Sequence, residues 1–118
     1  MIIYRFDKEV GKQVTHFDSN FIMSKISRLD QPVQIGCMYL EEGGLIGFHQ
    51  ATVPQLLLII EGEGWVRSDI EEKVKVQKGD AVFWEKGEGH ETGTHEGLVA
   101  IAIESEALNP SEFMVERG

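Results

Sequence analysis

Apolar and polar residues alternate along much of this chain at a spacing of two, and the spacing of an amphipathic helix is almost absent. From Val33 to Leu40, residues Val33, Ile35, Cys37 and Tyr39 share one face, which predicts a strand with Cys37 as a small buried hydrophobe. Leu56 to Ile60 is a run of leucine and isoleucine that leads into Glu61-Gly62-Glu63-Gly64 and then Trp65-Val66-Arg67. Two such runs joined by a glycine-rich segment predict a hairpin. Val74 and Val76 alternate with lysines, Lys78-Gly79-Asp80 makes a turn, and Ala81–Trp84 and Leu98–Ile103 read as further strands. Of Phe83 and Trp84, one must face inward.

The ends of the chain are less regular. Ile2, Tyr4 and Phe6 alternate, and Phe21 to Ile26 suits a strand. Asn109-Pro110-Ser111-Glu112 places a capping residue, a proline at the first helical position and a glutamate three residues after the cap, which predicts a short C-terminal helix carrying Phe113 and Met114 onto the body. Many short strands with glycine corners and little helix predict an all-β sandwich or barrel, as one domain over residues 1–118.

Composition narrows the functional classes. The formal charge of −9, from 11 basic and 20 acidic residues, gives no electrostatic footprint for nucleic acid. The longest uncharged apolar segment, Ala51 to Ile60, is about half the length a membrane helix needs, so no membrane partner is expected. Arg5 and Asp7 stand where a signal peptide would be apolar, and a single cysteine suits a reducing compartment. The expectation is a cytoplasmic chain.

Candidate chemistry lies in two glycine-framed stretches. The first, about 43–62, runs Gly43, five residues, His49-Gln50-Ala51, three residues, Gln55, six residues, Gly62. The second, about 79–94, runs Gly79, five residues, Glu85-Lys86-Gly87, two residues, His90, three residues, Thr94. In these spacings the chain resembles a small single-domain cupin with a degenerate metal-binding motif. That resemblance implies a double-stranded β-helix, or jelly-roll barrel. In that family a His-x-His pair, a glutamate and a histidine of the second motif surround one metal ion. Here Ala51, Gln55, Glu85 and Thr94 keep the frame without the usual side chains, whereas His49 and His90 keep both.

Carried over position by position, the metal set is His49, Gln55 and His90. The even spacing of His49, Ala51 and Gln55 puts them on one face of an unbulged strand, although Pro54 lies within that span. Two imidazoles and an amide oxygen form an uncharged set. It suits one divalent transition ion, zinc, nickel, iron, manganese and copper not being distinguished, held more weakly than by a set with a carboxylate. Metal-free, the histidines serve ligand recognition or acid–base work. Ala51, Leu57 and Ile59 then form the apolar wall of a ligand pocket, or Leu57 and Ile59 are simply core. Glu85, where the motif has proline, is the one candidate catalytic carboxylate, with a solvated loop as the ordinary alternative. His95, in a turn, and His16, in a polar segment, read as surface residues.

Two readings follow. The first is a divergent cupin that binds a small molecule in the barrel as a metal-dependent enzyme of oxygenase, isomerase or lyase class. The second is a metal-free, non-catalytic module for a small ligand. The resemblance also implies a homodimer paired through its sheets.

Overall fold

The computed structural model describes every residue of the chain except Ile70. Its strands, in chain order, are β1 (Ile2–Arg5), β2 (Lys12–Val14), β3 (Phe21–Met23), β4 (Gln34–Leu40), β5 (Leu45–Gln50), β6 (Gln55–Ser68), β7 (Val74–Gln77), β8 (Asp80–Trp84), β9 (Gly89–Gly93), β10 (Leu98–Glu104) and β11 (Val115–Glu116). All pairings are antiparallel. One sheet runs β11-β1-β8-β6-β10-β4, and the second face is built from β5, β9, the far half of β6 and β7. The alternation in the sequence therefore reports a two-layered all-β barrel.

The link between the layers is β6, which runs unbroken through the glycine-rich segment expected to be a hairpin turn. Its first half pairs with β8 and β10, and its second half with β7 and β9. A register shift opposite Val99 and Ala100 pairs them with Glu61 and Ile59, leaving Ile60 as the extra residue. Bulges of this kind bend a strand and let it pass from one sheet to the next. Gly62 sits at that corner with φ of +80°, and a Cβ there would run into the carbonyl oxygen of Gly97. The glycines bend the strand at the corner where it changes layer.

Period-two patterning sorts the residues of the first sheet between its faces. Leu57, Ile59, Val82, Trp84, Ala100 and Ala102 point into the barrel, where Val66, Val76 and Leu98 meet them. Trp84 is thus the inward residue of the Phe83–Trp84 pair. The other face carries Leu56, Leu58, Ala81 and Phe83 under a cover of Tyr4, Leu108 and Met114. That cover stops short of β4, an edge strand. Ile35 and Tyr39 there are 63% and 73% exposed, and Cys37 between them is exposed as well. Cys37 is not buried because its face, opposite Ile101 of β10, points away from the barrel interior.

The ends differ from expectation for local reasons. Pro110–Glu112 forms a single 3₁₀ turn, not a helix: Asn109 makes no cap to the backbone, and its side-chain oxygen accepts from Ser111 instead. Burial of Met114 and pairing of Val115–Glu116 with β1 then draw the chain into a strand. Near the start, β2 and β3 form a separate two-stranded sheet, with β3 ending at Met23. Among the described residues no helix is long and apolar enough to cross a membrane.

If the corner at Gly62 is as tight as its surroundings imply, Gly62→Ala meets both positive φ and a backbone clash. It is expected to cost about 2–4 kcal/mol of folding stability by urea denaturation. A loss below ~0.5 kcal/mol would contradict the corner.

Candidate functional site

Two rows of side chains face one another at the same end of the barrel. In the first sheet, backbone register aligns Gln34 on β4, Glu104 on β10, Gln55 on β6 and Trp84 on β8. Because Ala102, Leu57 and Val82 occupy the next inward positions, this row lies on the interior face. In the second sheet, His49 on β5, His90 on β9 and Ser68 on β6 are aligned in the same way. The rows meet where the His90 ring lies 4.8 Å from the Trp84 ring, the planes tilted by 31°. His49 joins from the rim, its ring centroid 4.2 Å from that of His90. The two imidazoles, 41 positions apart in the chain, are neighbours because β5 and β9 are paired.

His49 and Gln55 do not share a strand. The chain leaves β5 at Gln50, turns through residues 51–54, and re-enters as β6 at Gln55. Pro54, without an N–H, ends the parity on which a single strand would depend. Ala51 is buried in that turn, where its N–H donates to the Glu88 carbonyl and its own carbonyl accepts from Gly87 N–H at 2.8 Å. Gln55 is 6% exposed, and Leu57 and Ile59 below it are packed into the core as an apolar floor.

Tautomers follow from partners. His49 Nδ1 is 2.7 Å from the Gly47 carbonyl, which can only accept, so Nδ1 carries the proton and Nε2 a lone pair. His90 Nδ1 faces the Glu88 carbonyl at 3.4 Å with the same consequence. His90 Nε2 and the Trp84 indole N–H are both buried without a partner, one an acceptor and the other a donor. Burial is the largest influence on His90 and pushes its pKa below the ordinary imidazole value. The Glu88 carbonyl opposes this, a charge on His49 would reinforce it, and the carboxylates of Glu88 and Glu104 oppose it.

The loop before His90 is organised by Glu88. Its carboxylate accepts from the Met1 ammonium at 2.5 Å, from the Ser68 hydroxyl and from the Glu85 N–H. Burial works against that charge, yet these bonds outweigh it and hold the Glu88 pKa below the usual value. Glu85 itself is exposed, contributing its backbone N–H to the loop. His95 and His16 are exposed. Among the described residues, no three His, Cys, Asp or Glu side chains come close enough to share one metal ion. Sequence reasoning missed Trp84 and Glu104 as members of the site. For Glu104 a signal was available: it continues the inward parity of Ala100 and Ala102 to the end of β10.

The depressed pKa of His90 has a definite sign for stability. The folded state disfavours its protonation, so its contribution is complete above the unfolded value near 6.5 and is lost as pH falls below that. Proton NMR is expected to show His90 titrating below 6.5. The fall in melting temperature from pH 7 to pH 5 should be smaller in His90→Gln than in the wild type.

No family model matches the chain, and neither does any curated protein. Solved structures do. A cupin superfamily protein from Desulfitobacterium hafniense superposes with a TM-score of 0.58 at 19% identity, over 66% of this chain and 70% of that one. An RmlC-like cupin from Shewanella frigidimarina gives 0.60 at 20% identity, over 67% and 70%. A predicted oxalate decarboxylase from Thermotoga maritima gives 0.52 at 26% identity, over 58% and 62%. The barrel that brings His49, His90 and Trp84 together is a cupin fold.

Proposed function

We propose that this protein binds a small molecule at the end of the barrel, between His49, Gln55 and His90, beside Ala51 and above the floor of Leu57 and Ile59. One observation carries the reading: His90 Nε2 is buried, unpartnered and set beside a second imidazole. An orphaned buried acceptor costs roughly 1–3 kcal/mol, which a ligand donor or a cation placed there would recover. Small molecules suit this interior better than a phosphate backbone, which a chain of charge −9 repels.

A second reading is favoured by the tautomers. With both Nδ1 protons turned to backbone carbonyls, both Nε2 lone pairs are free, the arrangement in which imidazoles bind transition metals. The residues present fit a loosely held dication, with His49 and His90 as nitrogen donors and Gln55 as a neutral oxygen donor. Such an ion would supply Lewis-acid polarisation of a ligand oxygen, the chemistry an oxygenase, isomerase or lyase requires.

We also infer that two copies pair. Val33, Ile35 and Tyr39 leave an apolar strip uncovered on β4, while Phe21, Ile22, Met23 and a 99% exposed Phe17 decorate the β2–β3 hairpin. An isolated two-stranded hairpin is marginal in water, so this one needs a cover.

Zinc titrated at pH 7.5 is expected to shift the ring-proton NMR signals of His49 and His90 together, and His90→Ala to weaken binding at least about tenfold. If a small ligand moves the same signals with unchanged affinity in chelator, the metal-free reading prevails. A compound screen and zinc that both leave His90 unmoved would refute the site. For the pairing, light scattering at micromolar concentration is expected to give twice the 13.3 kDa chain mass. Tyr39→Arg should return it to that of one chain, and a wild-type monomer would end the inference.

A further inference from the structure

Acidic side chains in this protein follow a rule with one exception. Asp7, Glu63, Asp80, Glu88 and Glu91 are withdrawn from full exposure, and each is ion-paired: with Arg5, Lys75, Arg117, the Met1 ammonium and Arg67 respectively. Glu104 is also partly buried, and among the described residues no cation pairs with it. It stands on the interior face in the row Gln34–Glu104–Gln55–Trp84, whose Trp84 end meets His90. Neither that row nor the facing row His49–His90–Ser68 contains a lysine or arginine. Withdrawing an unpaired carboxylate from water is unfavourable, and a cationic ligand would offset it.

The remaining polar groups specify the rest of that ligand. His90 Nε2 is an unpartnered acceptor in a residue only 2% exposed. Its ring covers the Trp84 indole, and the Gln55 amide lies one strand away from Trp84 in the same row. Glu104 pairs in register with Gln55, Gln55 with Trp84, and the Trp84 ring meets the His90 ring, so the row leads from Glu104 to His90. Yet they do not converge with His49 closely enough to share a single ion. A molecule with several heavy atoms can touch both ends of the row where a point charge cannot.

We propose that the barrel mouth recognises an organic ammonium, with Glu104 as counter-charge and His90 Nε2 and the Gln55 amide oxygen accepting the other N–H or O–H donors of the same molecule. Carboxylates and phosphates of similar size are excluded by the same charge. This inference rests on the small-molecule reading above and gives it a ligand class.

The test uses n-butylammonium, n-butanol and butyrate as matched probes, read by the Trp84 indole N–H and His90 ring-proton signals at pH 7.5. The cation is expected to shift both signals saturably, the alcohol more weakly and the anion not at all. Glu104→Gln should weaken the cation at least about tenfold while leaving the melting temperature within a few degrees, and Glu104→Asp should recover part of the loss. Butyrate binding as well as butylammonium, or Glu104→Gln leaving the cation's affinity unchanged, overturns the proposal. If zinc moves the His90 signal and butylammonium does not, the site stands and the ammonium inference falls. If none of these probes moves it, both fall.

Discussion

The long strand β6 constrains everything else in this molecule. A strand that belonged to one sheet would leave the other layer to be held by side-chain packing alone. Because β6 is hydrogen-bonded into both, the register of each sheet is tied to the other through one backbone. Its first residue, Gln55, begins the polar row of one layer, and its last, Ser68, ends the row of the other. The corner at Gly62 is therefore a positioning device for chemistry some distance away. A slip of one residue on either side would turn a whole row from the interior to the outside.

The same geometry explains why this interior is divided into an apolar floor and a polar mouth. Leu57, Ile59, Val82 and Ala100 fill the middle of the barrel with hydrocarbon. One inward step toward the open end, the side chains become Gln55, Trp84 and Glu104, facing His90 across the layers. Gln55, Trp84 and His90 at that level are buried, so their polar groups are strong enough to select a ligand and costly to leave unmatched. Elsewhere the protein satisfies such groups internally, as Glu88 shows by collecting the Met1 ammonium, a hydroxyl and a backbone N–H. The mouth is where that internal satisfaction stops.

Much of this was legible in the chain and some was not. Alternation at Val33–Leu40 and short apolar runs at Ala81–Trp84 and Leu98–Ile103 marked strands, because the period and the length of a strand are written directly in its residues. The glycine-framed spacing around His49 and His90 carried the resemblance to a cupin, and that resemblance implied the barrel. What failed were inferences that needed neighbours. Cys37 shares a face with valine and isoleucine, yet whether that face is covered depends on where the terminal segments lie. Gly62 and Gly64 suit a hairpin turn and a sheet-crossing bend equally well from composition. Asn109 and Pro110 look like a helix start, but strand pairing with β1 competes for the residues that follow.

By itself the sequence determined the class of the fold and the identity of two imidazoles, since periodicity and glycine spacing are local properties of the chain. Only the tertiary structure decided that Trp84 turns inward, that His49 and Gln55 come from different strands, and that Glu104 stands unpaired at the same mouth. The reason is that whether a charge has a partner is a property of the space around it. That space is assembled from strands far apart in the chain, and no window of sequence contains it.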